Sequence, residues 1–492
     1  MQKRPWLLGT ALLLIGPLWF VPLARAQEAE EVGQAESVVA PEAGGGSAGG
    51  ASTEVLDEPG RESFTALERI QLFREEVQKA RDEVGELRRR KKLRLAADEA
   101  RLTWQWGDSI LATWKDGFNL YYLHGEEGSR EPLHGLGVHG LLQIDYRHYV
   151  DEHNPHESTF GLGALRLSAR GFGFEHAEYT LEVDLSEDGN TRLADAFVNL
   201  NYWTPLQLKV GHIRTPMLLE QLKSEAHRHF IEDPMIRKVA QIDRDLGGVL
   251  HGDCGFATYA VGLVNGRPPN QVDNIVCKDF VARLQLTPFK PFGDEYVETF
   301  GLGASVTHGI RNGFAPKFEA TSGTEFLPLG RTRQFENVTR AGVEAVVSKG
   351  GFTVQAEYIA LRVTDLRSPT AGKNDLDVNG WYVDCLYTLT HEPYVVGKRF
   401  RPLRNLNPLE GGWGTIQVAG RYEGVSTESG YARTLATGTD RVDAFTVGVN
   451  WYWNPNVKFQ LNYQKLYYDD HLGLPRIDNG EDLVFARIQL DF

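Results

Sequence analysis

The stretch "RTPMLLEQLKSEAHRHFIEDPMIRKVA", residues 214–240, carries the densest chemistry in this chain. Arg214, Lys223, Arg228, Arg237 and Lys238 stand against Glu220, Glu225, Glu232 and Asp233, five cations against four anions, with His227 and His229 between them. The whole chain, by contrast, has a net charge of −14. Charges packed this closely could hold a small anion at short range, as a channel constriction does. They could equally neutralise one another in a salt-bridged loop. Histidine, with an ordinary pKa near 6.5, would add charge on acidification if solvated.

Other reactive types do not assemble into a catalytic set. The fourteen His show no H-E-x-x-H, and the three Cys (Cys254, Cys277 and Cys385) show no zinc-ligand spacing. The reading is therefore a non-enzyme with no metal and no cofactor. The acidic balance also argues against nucleic acid as a partner.

The elements that position these residues follow a period of two. In "VKFQLNYQK", Val457, Phe459, Leu461 and Tyr463 alternate with Lys458, Gln460, Asn462 and Gln464. "AFTVGVNWYW", "FTVQAEY", "TIQVAGRY" and the terminal "ARIQLDF" repeat the pattern. About sixteen such segments run from residue 135 to the end, long enough to cross a bilayer as tilted strands. They lie near 135–149, 159–175, 177–187, 191–203, 206–213, 244–253, 256–264, 276–286, 299–308, 338–348, 351–363, 376–390, 411–424, 440–453, 456–468 and 481–491. Mean hydropathy is −0.34, so no bundle of apolar membrane helices is present. The fold class expected is all-β, a transmembrane antiparallel barrel of about sixteen strands. Trp451, Tyr452, Trp453, Tyr467 and Tyr468 suit an interfacial girdle, and the polar face suits a wet lumen without hydrophobic partners. Strand parity then turns Arg166, Arg283, Arg421 and Arg487 inward, since a lipid-facing Arg near the midplane costs about 2–4 kcal/mol. It also turns Cys385 outward beside Trp381, Val383 and Tyr387. Cys254 and Cys277 fall at opposite strand ends, too far apart for a disulfide.

Ahead of the barrel the organisation changes. Residues 1–26 read as a secretory signal: Lys3 and Arg4, an apolar run from Trp6 to Leu23, and "ARA" at 24–26. Residues 27–61 form an acidic, Gly-rich linker. Residues 62–100 carry a heptad seam, with Ala66, Ile70, Phe73, Val77, Ala80, Val84 and Leu87 at 4-3 spacing. The barrel domain is placed at 104–492.

The sequence resembles the phosphate-selective porin O and P family from about residue 130 to 492. "GLLQIDYRHYV" resembles its first strand, and "VGHIRTPMLLEQLKSEAHRHFIED" the segment opening its in-folded pore loop. "RDLGGVLHG", "YAVGLVNGRP", "KDFVARLQLTPF" and "WYWNPNVKFQLNYQ" follow in family order. The resemblance implies a trimeric outer-membrane barrel in lipid, with short periplasmic turns, passing small inorganic or organic anions. It also implies that Phe492 is the terminal aromatic presented to the barrel-assembly machinery. Where phosphate-specific members carry paired arginines on the second strand, this chain has Gly163 and Ala164. Where a phosphate-contacting lysine is expected in the loop, it has Ala226. Two functions fit these observations: a passive anion porin, and a barrel that tethers the envelope through its coiled coil. Tethered beneath a trimeric barrel, a short seam at Ala66–Leu87 gains from proximity. Deleting 62–100 should leave a barrel that forms but a trimer less resistant to heat; unchanged trimer melting would refute the role of the seam.

Overall fold

The computed structural model describes residues 102–106, 110–114, 116–124, 131–150, 157–173, 176–187, 190–240, 243–266, 278–289, 300–314, 318–327, 334–368, 372–392, 394–427, 438–469 and 480–492. The expected signal, linker and coiled-coil helix lie outside these residues, as does Cys277.

Sixteen strands close one antiparallel sheet. They are β1 (Glu131–Tyr149), β2 (Thr159–Gly173), β3 (Ala177–Glu187), β4 (Asn190–Trp203), β5 (Leu206–Arg214), β6 (Arg244–Asp253), β7 (Ala257–Val264) and β8 (Asp279–Leu286). The second half is β9 (Gly301–Phe314), β10 (Gln334–Lys349), β11 (Phe352–Ser368), β12 (Gly372–Thr388), β13 (Thr415–Thr427), β14 (Arg441–Tyr452), β15 (Val457–Asp469) and β16 (Gly480–Asp491). Each pairs with the next, and β16 returns to β1 through Ile488↔Ile144 and Arg487↔Asp145. No backbone edge is left along the barrel wall, as lipid requires.

The alternation turns the barrel inside out relative to a soluble protein. Phe352, Tyr358, Val383, Phe445, Val447, Leu461 and Ile488 are exposed, while Gln355, Gln417, Asn450 and Gln460 are buried. Cys385 is exposed on the outer face as expected, and Cys254 is exposed at a turn. Two girdle expectations need correction. Tyr452 and Tyr468 are buried: adjacent residues of a strand face opposite ways, so only alternate aromatics reach the lipid.

The polar face is not uniformly wet either. The loop after β5 folds into the barrel and carries two short helices, α1 (Leu219–Leu222) and α2 (Met235–Ala240), with a 3₁₀ turn at Glu225–His227 between them. Met217, Leu218, Met235, Ile236 and Val239 pack on an apolar inner patch made by Ile359, Leu361, Val378, Val425, Leu466 and Phe485. A hairpin after β9, Phe318–Glu319 paired with Glu325–Leu327, adds Phe318 and Phe326 to the same cluster. The interior along β11–β16 is thus filled by the chain itself. The expected lumen without hydrophobic partners is overturned there, because these strands place Ile, Leu and Val on the inner face of their upper halves.

The end that carries Phe492 holds two further surprises. Short turns were expected, but Leu389–Gly414 is a long segment between β12 and β13. Its Tyr394 and Phe400 pack with Phe230 of the in-folded loop and with Tyr452. Three strands ahead of the barrel, Leu102–Trp106, Ile110–Trp114 and Phe118–His124, form a meander that pairs with the start of β1, Phe118↔Val138. The meander extends the sheet where β16 stops. Phe492 exchanges backbone hydrogen bonds of 2.8 and 2.9 Å with Gly140 and stacks on Trp114 at 5.9 Å. A Cβ at Gly140 would lie 2.3 Å from the Phe492 ring, so a larger residue there would push that ring aside.

Ile236 is fully buried beneath Gly380. Ile236→Ala should weaken docking of the loop by about 2–4 kcal/mol. Limited proteolysis should then cut within 215–243 while the heat resistance of the barrel is kept; equal protection in both proteins would count against the packing described.

Candidate functional site: the in-folded loop and the arginine-rich wall

The loop is clasped from one side by a buried polar set. Leu219 and Glu220 donate their backbone N–H groups to the Glu357 carboxylate of β11, at 3.1 and 2.7 Å. Lys223 donates to Glu220 at 2.7 Å and also to Gln355. Arg421 of β13 grips Asp384 of β12 through two bonds of 2.7 and 3.0 Å, and its third nitrogen donates to the Glu232 carbonyl at 3.0 Å. The Arg421 guanidinium lies 4.5 Å from the Phe230 ring centroid and 5.2 Å from that of Tyr382. His229 Nε2 is 2.8 Å from Asp384. The backbone of Ile231 donates to Asn462, and that of Met235 to Glu423. Arg147 of β1 donates to Glu232 at 2.7 Å. Every one of these wall groups comes from a strand distant in sequence, so the loop is held by closure of the barrel.

The opposite face of the loop meets a different surface. Arg166 and Arg170 of β2, Arg192 of β4, Arg214, Arg244, and the loop residues Arg228 and Arg237 gather around Glu182, Asp184, Asp195, Glu225, Asp233 and Asp243. Arg166 pairs with Asp184 at 2.7 Å and Glu225 at 2.8 Å. Arg228 pairs with Asp233 at 2.6 Å, Arg244 with Asp195 at 2.9 Å, and Arg237 with Asp233. Arg214 donates to the Lys223 carbonyl at 2.5 Å and lies 3.7 Å from Asp195. Arg170 pairs with Glu182, and Arg192 with Asp243. Seven arginines share six carboxylates. Nε and Nη2 of Arg228 are buried without a hydrogen-bond partner. The Arg170 side chain is 53% exposed, whereas inward groups of β11–β16 such as Gln355 are sealed. Solvent therefore reaches the interior beside Arg170 of β2.

The sequence-derived residues divide between these surfaces. Lys223, His229 and Arg421 belong to the clasp. Arg166, Arg214 and Arg228 belong to the arginine-rich wall. Arg283 stands apart, paired with Glu344. Arg487 lies at the seam, in two bonds of 2.6 Å to Asp145. His227 packs downward, its Nδ1 3.0 Å from the Gly397 carbonyl. Sequence reasoning missed Arg170, Arg192, Arg244 and the carboxylates of β3 and β4. Arg170 shares the parity of Arg166 and was within reach. Arg192 was not, because a register shift interrupts the β3–β4 pairing between Glu182 and Val183.

One expectation fails on this geometry. His227 and His229 are not solvated. Burial pushes His227 down to about 4, helped by Lys458; burial and the neighbouring Lys223 lower His229. His227 therefore adds no charge as pH falls from 8 to 5.5, and burial opposes charging of His229. Burial alone would raise the Glu220 and Glu225 carboxyls, but Lys223 beside the one and Arg228 and Arg166 beside the other hold both well below the usual range. Burial and Arg228 push Arg237 down to about 9, so it stays charged at neutral pH.

A closed sixteen-stranded barrel narrowed by an in-folded charged loop defines a porin. The sequence profile of the family described as Phosphate-selective porin O and P matches residues 136–492, and the chain belongs to that family. Porin O of Pseudomonas aeruginosa is 23% identical over 389 residues, covering 72% of this chain and 87% of that protein. Among solved structures, OmpT of Vibrio cholerae superposes with a TM-score of 0.49 at 12% identity, covering 74% of this chain and 99% of the other. The anion-selective porin from Comamonas acidovorans gives 0.44 at 12% identity, covering 73% and 100%.

The pH response follows from the signs. In the unfolded chain His227 binds a proton near 6.5, and in the folded chain only near 4. Between these values the unfolded state holds more protons, so stability falls as pH drops through that window. Glu220 and Glu225, depressed when folded, act in the same direction at lower pH. The His227 contribution to loop protection against protease should therefore decline as pH drops from 6.5 toward 4. The anion-to-cation permeability ratio should stay flat from 8 to 5.5, and a rise over that range would show the histidines to be solvated.

Proposed function

We propose that this outer-membrane porin conducts small anions along the arginine-rich wall of β2–β6, past the edge of the in-folded loop. The observation that carries the reading is the gathering of seven arginines with six carboxylates on β2–β6 and the facing loop, where the Arg170 side chain is 53% exposed. Guanidinium groups there replace part of an anion's hydration as it passes. Phosphate is among the solutes by family membership and by likeness to Porin O. The affinity for it is weak, because Gly163 and Ala164 stand where phosphate-specific relatives place paired arginines. Three copies associate as a homotrimer, the Phe492 end faces the periplasm, and the N-terminal helix lies there. Phe492 serves as the assembly signal for the barrel-assembly machinery. The meander that joins the N-terminal region to β1 also suits an envelope-tethering role, which conduction does not exclude.

In a potassium chloride gradient the purified protein should give reversal potentials of chloride-selective sign. Arg170→Gln with Arg192→Gln should lower the chloride-to-potassium ratio by about two- to fivefold. Cation selectivity of the wild type would sink the proposal.

A further inference from the structure

We infer that Asp116, in the turn between the second and third meander strands, latches the passage. Through Arg399 it holds the inserted segment Leu389–Gly414 against the in-folded loop, so docking of the meander sets the resting position of the 3₁₀ turn Glu225–His227. The inference rests on the reading above only for where the passage runs.

The contacts form one chain from the meander to the edge of the passage. Trp114 and Phe118 pair across the turn that carries Asp116 and Gly117. Asp116 has φ 52° and Gly117 φ 127°, the left-handed backbone that Asp-Gly favours in hairpins. A Cβ at Gly117 would lie 2.5 Å from the Val138 carbonyl, so the turn sits tightly on β1. His139 Nδ1 donates to the Asp116 carbonyl at 2.6 Å. The Asp116 carboxylate points to the inserted segment: Oδ1 accepts from Arg399 at 2.8 Å and Oδ2 from Arg401. Arg399 also reaches Asp491 of β16 at 2.6 Å. A guanidinium held between two carboxylates is fixed in direction as well as in place. Two residues earlier, the Gly397 carbonyl accepts from His227 Nδ1 at 3.0 Å, and the Tyr394 hydroxyl donates to the His227 carbonyl at 3.0 Å. His227 shares its turn with Glu225, which pairs with Arg166 of the arginine-rich wall at 2.8 Å.

The run Tyr394–Arg401 is thus braced at both ends beneath that turn, and the braces differ. At Tyr394 the brace is buried, the Ser348 hydroxyl of β10 donating to the Tyr394 carbonyl at 2.8 Å. At the other end the Asp116 and Arg401 side chains are 30% and 52% exposed. A solvent-exposed ion pair opens easily, and its opening frees the Arg399 end while the barrel stays closed. The meander end is the one that yields first, and its release lets the Glu225–His227 turn shift against the wall.

Single-channel recording of the full-length protein in planar bilayers tests this, at high potassium chloride where exposed charge is screened. Asp116→Asn keeps a residue suited to the left-handed turn and removes the charge. It should raise the time spent in altered conductance levels about two- to fivefold. Arg401→Gln leaves Arg399 on Asp116 and should give a smaller rise; it keeps the test decisive where Asp116→Asn disturbs folding. Glu410→Gln removes an exposed carboxylate of the same segment and should leave the current as in wild type. Steady current in both Asp116→Asn and Arg401→Gln overturns the latch. An equal rise in Glu410→Gln overturns it too, since loss of charge alone would then suffice. Cation selectivity of the wild type together with unsteady Asp116→Asn current overturns the anion reading and supports the latch.

Discussion

Lipid offers no partner to a backbone amide, and everything else in this molecule follows from that constraint. The sheet must close, which β16 does on β1. Closure with alternating side chains sends one residue in two to the inside, whatever its polarity. A barrel of sixteen strands encloses more space than its own side chains fill. The chain resolves this by returning segments of itself: the loop after β5, the hairpin after β9, and the segment after β12. Their apolar residues meet Ile, Leu and Val on the inner faces of β11–β16, so half of the barrel has a core like that of a soluble protein.

Filling a barrel with a charged loop creates an electrostatic problem. Each cation taken from water needs a carboxylate or a set of carbonyls, and the wall supplies them: Asp384 for Arg421, Asp184 for Arg166, Glu344 for Arg283. What remains to act on a passing ion is the imbalance after pairing, far smaller than the number of charges. The five-to-four ratio within the loop therefore said little about selectivity. The partners that decide it lie on β3, β4, β11 and β12, and their contribution can be counted only once the barrel is closed.

This explains which parts of the structure the sequence disclosed. The sixteen strands and their facing were legible because period-two alternation is local: Phe445, Val447 and Val449 point outward on the evidence of their own spacing. What covers a face is not local. Ile359 and Leu466 read as ordinary strand residues, and only α2, more than a hundred residues earlier, makes them core. The meander at Leu102–His124 and the fold of Leu389–Gly414 lacked any lipid-facing alternation to announce them. The burial of His227 and His229 was hidden for the same reason, since "HRH" looks like a solvated basic tip until Gly397 and Asp384 are placed beside it.

The seam between β1, β2 and β16 shows how strongly closure limits the site. Gly163 is the extra residue where the β1–β2 register shifts between Gln143 and Ile144. A Cβ built on it would lie 2.6 Å from Asp145 Oδ2 and 2.8 Å from Arg487 Nη2. Those two groups form the ion pair that bridges the first and last strands. The second strand cannot accept an arginine at Gly163 without displacing that bridge, and Ala164, fully buried, leaves no room for one beside it. The missing arginine pair is therefore not a neutral substitution at an otherwise family-like site. It is coupled to a different choice at the seam, where the arginine comes from the last strand and is already spent on Asp145. Restoring the paired arginines would require refitting Asp145 and Arg487 at the same time.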